Sequence, residues 1–190
     1  MDKKTILSIV IIAVVVIIGL FLFLGMNGEM LCTYDSSINI PSSYTIDDNG
    51  IAYSGDVAII FITCTNSKEY FDQFFDALKV NGDAAGYKNI TIEEINGYKL
   101  YQYSANTKEL KNVSSTKWDE GDYISWHEYG PDTSIFRTIN MNVTKFRQVA
   151  YLNKNTGFIN QLFIVTNNTN VDLYSNELND IVHSIEPLNT

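Results

Sequence analysis

The run Ile6–Leu24 is apolar at every position except Ser8 and Gly19. A folding chain does not leave such a stretch in water. With Gly25 and Met26 it supplies the roughly 20 residues that a helix needs to cross about 30 Å of hydrocarbon, so residues 5–26 are expected to form a transmembrane helix. A cleaved signal peptide has an apolar region of about 7–15 residues ending in small residues. Here the run is longer and is followed by Met26-Asn27-Gly28-Glu29, and Glu29-Met30-Leu31 before Cys32 does not resemble a lipidation site. Cleavage at an atypical place is the alternative reading. Lys3 and Lys4 precede the run, and the next basic residue after it is Lys68. The positive-inside rule then leaves residues 1–4 as a cytoplasmic stub and carries everything after about Asn27 outward. The expected location is the cell membrane, single-pass, with the C-terminal part extracytoplasmic.

Residues 27–36 read as a short juxtamembrane linker, and 37–190 as one extracytoplasmic domain long enough to bury a real core. The formal net charge of the chain is -9. Because Asp2, Lys3 and Lys4 together are positive, the exported part is more acidic still. Such a surface repels phosphate backbones, and nucleic acid is not expected as a partner. The expected partners are the membrane, through the helix, and a protein at the outer face. Cys32 and Cys64 are the only cysteines. Outside the cytoplasm such a pair can form a disulfide; the other reading is two separate thiols, with Cys64 a small buried residue of a strand.

Hydrophobic periodicity sets the fold class. Val57–Cys64 is β-branched and almost continuously apolar, the pattern of a strand covered on both faces. Phe71, Phe74, Phe75 and Leu78 recur at i, i+3, i+4 and i+7, which predicts a helix with a core-facing aromatic stripe, capped by Asn66 and stopped at Asn81-Gly82. Asn96-Gly97 predicts a hairpin between a strand near Ile90–Ile92 and Tyr98–Tyr103. Asn106–Lys117 is polar and reads as a loop, and Tyr123–Tyr129, Ile135–Met141, Val143–Leu152 and Phe158–Thr166 read as strands. Leu178, Ile181, Val182 and Ile185 repeat the helical template, with Asn170 or Asp172 as cap and Pro187 as terminator. The sum is an α+β domain, a mostly antiparallel sheet of about seven strands packed with two helices.

Two short segments carry a family resemblance, the strand-proline-tyrosine segment Ile40-Pro41-Ser42-Ser43-Tyr44 and the terminal helix ending Ile181-Val182-His183-Ser184-Ile185. With the order of elements, they make the chain resemble the PsbP-like α/β/α sandwich superfamily. That resemblance implies a non-catalytic binding or assembly module and supplies no active-site motif to carry over. The membrane run departs from the soluble photosystem subunit for which the superfamily is named, which puts any shared partner in doubt.

His127 and His183 are the only histidines, and no nucleophile motif flanks either. Gly82-Asp83-Ala84-Ala85-Gly86 lacks the lysine and hydroxyl of a phosphate-cradling loop. No cofactor is expected. The densest polar stretch runs from Trp118 to Asp132, where Asp119, Glu120, Asp122, His127 and Asp132 are the candidate metal ligands. An acidic turn can supply oxygens to Ca²⁺, although the spacing matches neither an EF-hand nor a zinc site; the other readings are a solvated acidic loop and a tryptophan-lined carbohydrate or peptide surface. Asn-x-Ser/Thr acceptors stand at Asn89, Asn112, Asn142 and Asn167. The leading expectation is a membrane-anchored, outward-facing, non-catalytic module. The alternatives are a metal-dependent enzyme or Ca²⁺-stabilised binder built on 118–132, and an extracellular small-ligand receptor.

Overall fold

The structure, a computed structural model, describes residues 28–64, 68–118, 124–130 and 133–188; for Tyr70, 114–118 and 124–129 it describes the backbone alone. In chain order the strands are β1 (Glu29–Cys32), β2 (Ser36–Ile40), β3 (Thr45–Ile46), β4 (Ala52–Ser54) and β5 (Val57–Cys64). Helix α1 (Lys68–Asn81) follows, then β6 (Tyr87–Ile95), β7 (Tyr98–Asn106), β8 (Val113–Trp118), β9 (Ile124–Tyr129), β10 (Lys145–Leu152) and β11 (Ile159–Thr166). Helix α2 (Asn176–His183) and β12 (Glu186–Pro187) end the described chain. Seven strands form one antiparallel sheet in the order β3-β4-β5-β11-β10-β7-β6. A smaller sheet, β1-β2-β12, and the hairpin β8-β9 complete an α+β fold.

Strand alternation divides the apolar residues of the large sheet between its two faces. Ala58, Ile60, Phe146, Ala150 and Phe163 turn toward α1, where Phe71, Phe74, Phe75 and Leu78 are all buried against them. Val57, Ile59, Phe61, Val149, Leu162 and Ile164 turn the other way, toward Leu178, Ile181 and Val182 of α2 and Ile38 and Ile40 of β2. The continuous apolar run of β5 is thus explained by cover on both faces, and the aromatic stripe of α1 is core. At the hairpin, Asn96 and Gly97 adopt φ of 52° and 79°, the positive values that a type I′ turn requires.

Four local expectations are corrected. Within 27–36, expected as a linker, Glu29–Cys32 is a strand paired with β2. Residues 113–117 of the expected loop 106–117 belong to β8, whose polar residues pair with β9 and whose backbone lies against α1. Ile135–Met141, expected as a strand, begins as the 3₁₀ turn Thr133–Thr138. Its apolar residues at 135, 136 and 139 are spaced for a helix as well as for a strand, and Phe136 packs edge-on against Phe146 and Phe163. The cap of α2 is Ser175, whose Oγ accepts the Leu178 N–H, while Asp172 receives the Tyr174 N–H in a separate turn. Its far end is closed by Ser184, and Pro187 lies beyond it in β12.

Cys32 and Cys64 are free thiols in the structure, one exposed and one half-buried. Cys64 packs on the α1 face. The run Ile6–Leu24 lies outside the described residues. Among those described, no helix is long and apolar enough to cross a membrane.

Candidate functional site

On the α2 face, the large sheet changes from apolar to polar toward its β7-β6 side. Arg147 on β10 lies diagonal to Gln102 on β7, since Arg147 pairs with Ser104 and Val149 with Gln102. Gln102 in turn pairs with Thr91 on β6, one step from Glu93 on the same face. The register therefore places an arginine, an amide and a carboxylate in an oblique row across three strands. A bulge between Lys88 and Thr91, with Asn89 at φ 53°, shifts β6 beside this row. Bulges of this kind re-aim side chains at sheet edges.

Arg147 is 2% exposed, yet among the described residues no carboxylate pairs with it. Its Nε and Nη2 donate to Gln102 Oε1 at 3.1 and 2.5 Å, and Nη1 donates to Leu173 O at 3.1 Å and to Asn179 Oδ1 at 2.7 Å. The guanidinium carbon stands 4.3 Å from the Tyr174 ring centroid, within the range of a cation–π contact. Burial lowers the Arg147 pKa from its ordinary value, and the neighbouring Tyr174, Glu93 and Asp172 oppose that shift. Guanidinium remains charged in proteins. The site thus holds a buried cation with neutral acceptors only.

Gln102, also 2% exposed, passes the network outward. Its Nε2 donates to Glu93 Oε2 at 2.8 Å, and Glu93 Oε1 lies 3.3 Å from His183 Nε2 in the last turn of α2. Arg147, Gln102, Glu93 and His183 form one chain of contacts that runs from the interior to the surface, where Glu93 and His183 are 42% and 48% exposed at their side chains. The same residues line a groove of about 490 Å³, walled by Thr91 on the sheet edge and by Tyr174 and Asn179 on the α2 side. Tyr174 Oη is buried and has no hydrogen-bond partner among the described residues. A smaller cleft of about 210 Å³ adjoins it, sharing Asn89 and Tyr174.

This donor set suits a ligand that accepts hydrogen bonds at depth. His183 and Glu93 make a histidine–carboxylate pair, but among the described residues no hydroxyl or thiol is hydrogen-bonded to His183, so a nucleophile activated by it is not assembled. Likewise no three His, Cys, Asp or Glu side chains converge as metal ligands among the described residues.

A second buried polar centre serves the fold. Asp35 is fully buried, and its carboxylate accepts from Ser36 Oγ at 3.2 Å, from Asn160 Nδ2 at 2.8 Å and from Thr156 Oγ1. Thr33 and Thr63 both donate to Asn160 Oδ1, at 2.8 and 3.0 Å. Every neighbour is a neutral donor, and the cluster ties the β1-β2 hairpin to β5, β11 and the β10-β11 turn.

The expected metal ligands Asp119, Glu120, Asp122 and Asp132 lie outside the described residues, and of His127 only the backbone is described, in β9 opposite Ser115. The glycan acceptors Asn89, Asn112, Asn142 and Asn167 are all exposed. Asn89 sits in the groove wall, while Asn112 and Asn142 border a separate cleft of about 450 Å³. Sequence reasoning missed Arg147 and Gln102. The signal for them was a single charged residue inside the otherwise strand-like Val143–Leu152 of a chain that is poor in arginine. Comparison of the chain with protein-family models, with curated proteins and with solved structures gives no match.

Proposed function

We propose that the chain is a single-pass membrane protein whose α+β domain is an outward-facing, non-catalytic binding or assembly module, with the Arg147 groove as its seat. One observation carries the binding assignment: a buried guanidinium is fixed by four hydrogen bonds to neutral groups and opens into a groove. Donors pre-set in this way hold a partner group at low ordering cost. The lysine asymmetry about Ile6–Leu24 supports the outward address. Met30 and Tyr34, 60% and 69% exposed on the first hairpin, put apolar side chains where a domain without a stalk would lie close to the bilayer. The PsbP-like resemblance, whose members are largely binding or assembly modules, points the same way.

Cys32 gives a direct test because its thiol is exposed. In a Cys64→Ser background it is the only thiol of the chain. A membrane-impermeant maleimide is expected to label intact cells that express this variant, and to lose the label when Cys32 is also replaced by serine. Labelling only after permeabilisation would overturn the outward address.

A further inference from the structure

Resting on the binding-module reading, we propose that the Arg147 groove binds a small organic acid carrying a second polar group, with its carboxylate at Arg147 and Tyr174 and its hydroxyl or amine at Glu93. The groove is polarised by depth. At the base are Arg147, whose charge pairs with no carboxylate among the described residues, and Tyr174, whose buried hydroxyl has no partner among them. At the mouth is the half-exposed carboxylate of Glu93.

Arg147 has five N–H groups, and four hydrogen bonds to Gln102, Leu173 and Asn179 orient it. One Nη2 N–H is left without an acceptor among the described residues, and the guanidinium carbon lies 4.3 Å from the Tyr174 ring centroid. That N–H and the Tyr174 hydroxyl both belong to residues that line the groove and have no acceptor among the described residues, so they are the donors offered to a carboxylate, and charge-assisted bonds to a carboxylate are about twice as strong as neutral ones. Among the described residues, Glu93 Oε2 accepts one hydrogen bond, from Gln102 Nε2, and Oε1 lies 3.3 Å from His183 Nε2, and a carboxylate oxygen has capacity for a second bond. A donor on the ligand is matched there. A simple anion without a proton to donate, such as sulfate, offers Glu93 no hydrogen bond and is repelled by it. The volume of about 490 Å³ lies in the range of small-molecule sites and is far too small for a folded partner.

The experiment is calorimetric titration of the full-length chain, in detergent, with the proteinogenic amino acids and with the hydroxy acids lactate and malate; each acid that binds is then compared with its carboxamide. At least one acid is expected to saturate with Kd below about 1 mM, and its amide to bind about tenfold more weakly or not at all. Tyr174→Phe keeps the ring over Arg147 and removes only the unpartnered hydroxyl. It is expected to weaken the acid several-fold while the unfolding temperature stays level or rises. Thr91→Trp, at an exposed position of the edge strand, puts a bulky ring into the groove while leaving every member of the buried network in place, and is expected to abolish binding. Failure of every acid to saturate, equal binding of acid and amide, or wild-type affinity in both variants would overturn the proposal. The maleimide result is independent of this titration, so outward labelling without acid binding removes the ligand and keeps the address. If a bound acid is recovered chemically changed, the non-catalytic reading fails and the ligand class stands.

Discussion

Arg147 joins β10, β7 and the start of α2 through its four hydrogen bonds, so its removal strands Gln102 Oε1, Leu173 O and Asn179 Oδ1 in the interior. Arg147→Met is therefore expected to cost about 2–4 kcal/mol in urea unfolding, because each buried polar group left without a partner costs about 1–3 kcal/mol. Adding Gln102→Leu removes one stranded acceptor and should recover part of the loss, a non-additivity that a double-mutant cycle reads directly. Asp47 acts at the surface. Its carboxyl accepts the Ile51 and Asn49 backbone N–H groups, each at 2.9 Å, and chiefly the Ile51 bond holds its pKa below the ordinary value. A lowered folded value means that the turn contributes stability above the unfolded carboxyl pKa of about 3.9 and loses it as pH falls through the folded value. Asp47→Asn should thus unfold more easily than wild type near neutrality, with the difference shrinking in acid, as thermal unfolding at several pH values would show. The Asp47–Gly50 turn was legible in the sequence because its chemistry is local. Arg147 was not, because its partners are on β7, in the segment before α2 and on α2 itself.

The helices and the buried strands of the large sheet follow from pattern. A stripe at 3.6-residue spacing can bury itself in only one way, and both α1 and α2 lie where their stripes predict. Failures fall where the pattern is mixed. β8 is polar and takes its strand form from pairing with β9, while 135–141 has spacings compatible with either period. Between α1 and β6, Gly86 has φ 90°, and a Cβ there would lie 2.6 Å from Glu109 O. Gly86→Ala combines a disfavoured backbone region with a clash against main chain. It is expected to destabilise the domain by more than about 1 kcal/mol, measured by denaturant unfolding, whereas glycine at the neighbouring exposed Ala84 should have a small effect.

Across the whole molecule, one sheet separates two cores, and the N-terminal hairpin closes the α2 side. Its attachment depends on Asp35, which binds Ser36, Thr156 and Asn160, and whose main-chain oxygen accepts from Leu188 N and Asn153 Nδ2. Asp35→Ala leaves those side-chain donors buried without their acceptor and is expected to cost about 2–4 kcal/mol. Hydrogen exchange should then rise first in β1, β2 and β12 and only later in β5 and β11, since local units open below the global free energy. The sequence by itself determined the α+β class, both helices, the buried strands and the apolar run before them, because periodicity is a property of neighbours in the chain. Tertiary structure alone decided which faces the strands share, that Glu29–Cys32 enters the fold as a strand, and that Arg147, Gln102, Glu93 and His183 meet. Those contacts are set by strand register and helix docking, which bring together residues far apart in the chain and leave no mark in the local pattern.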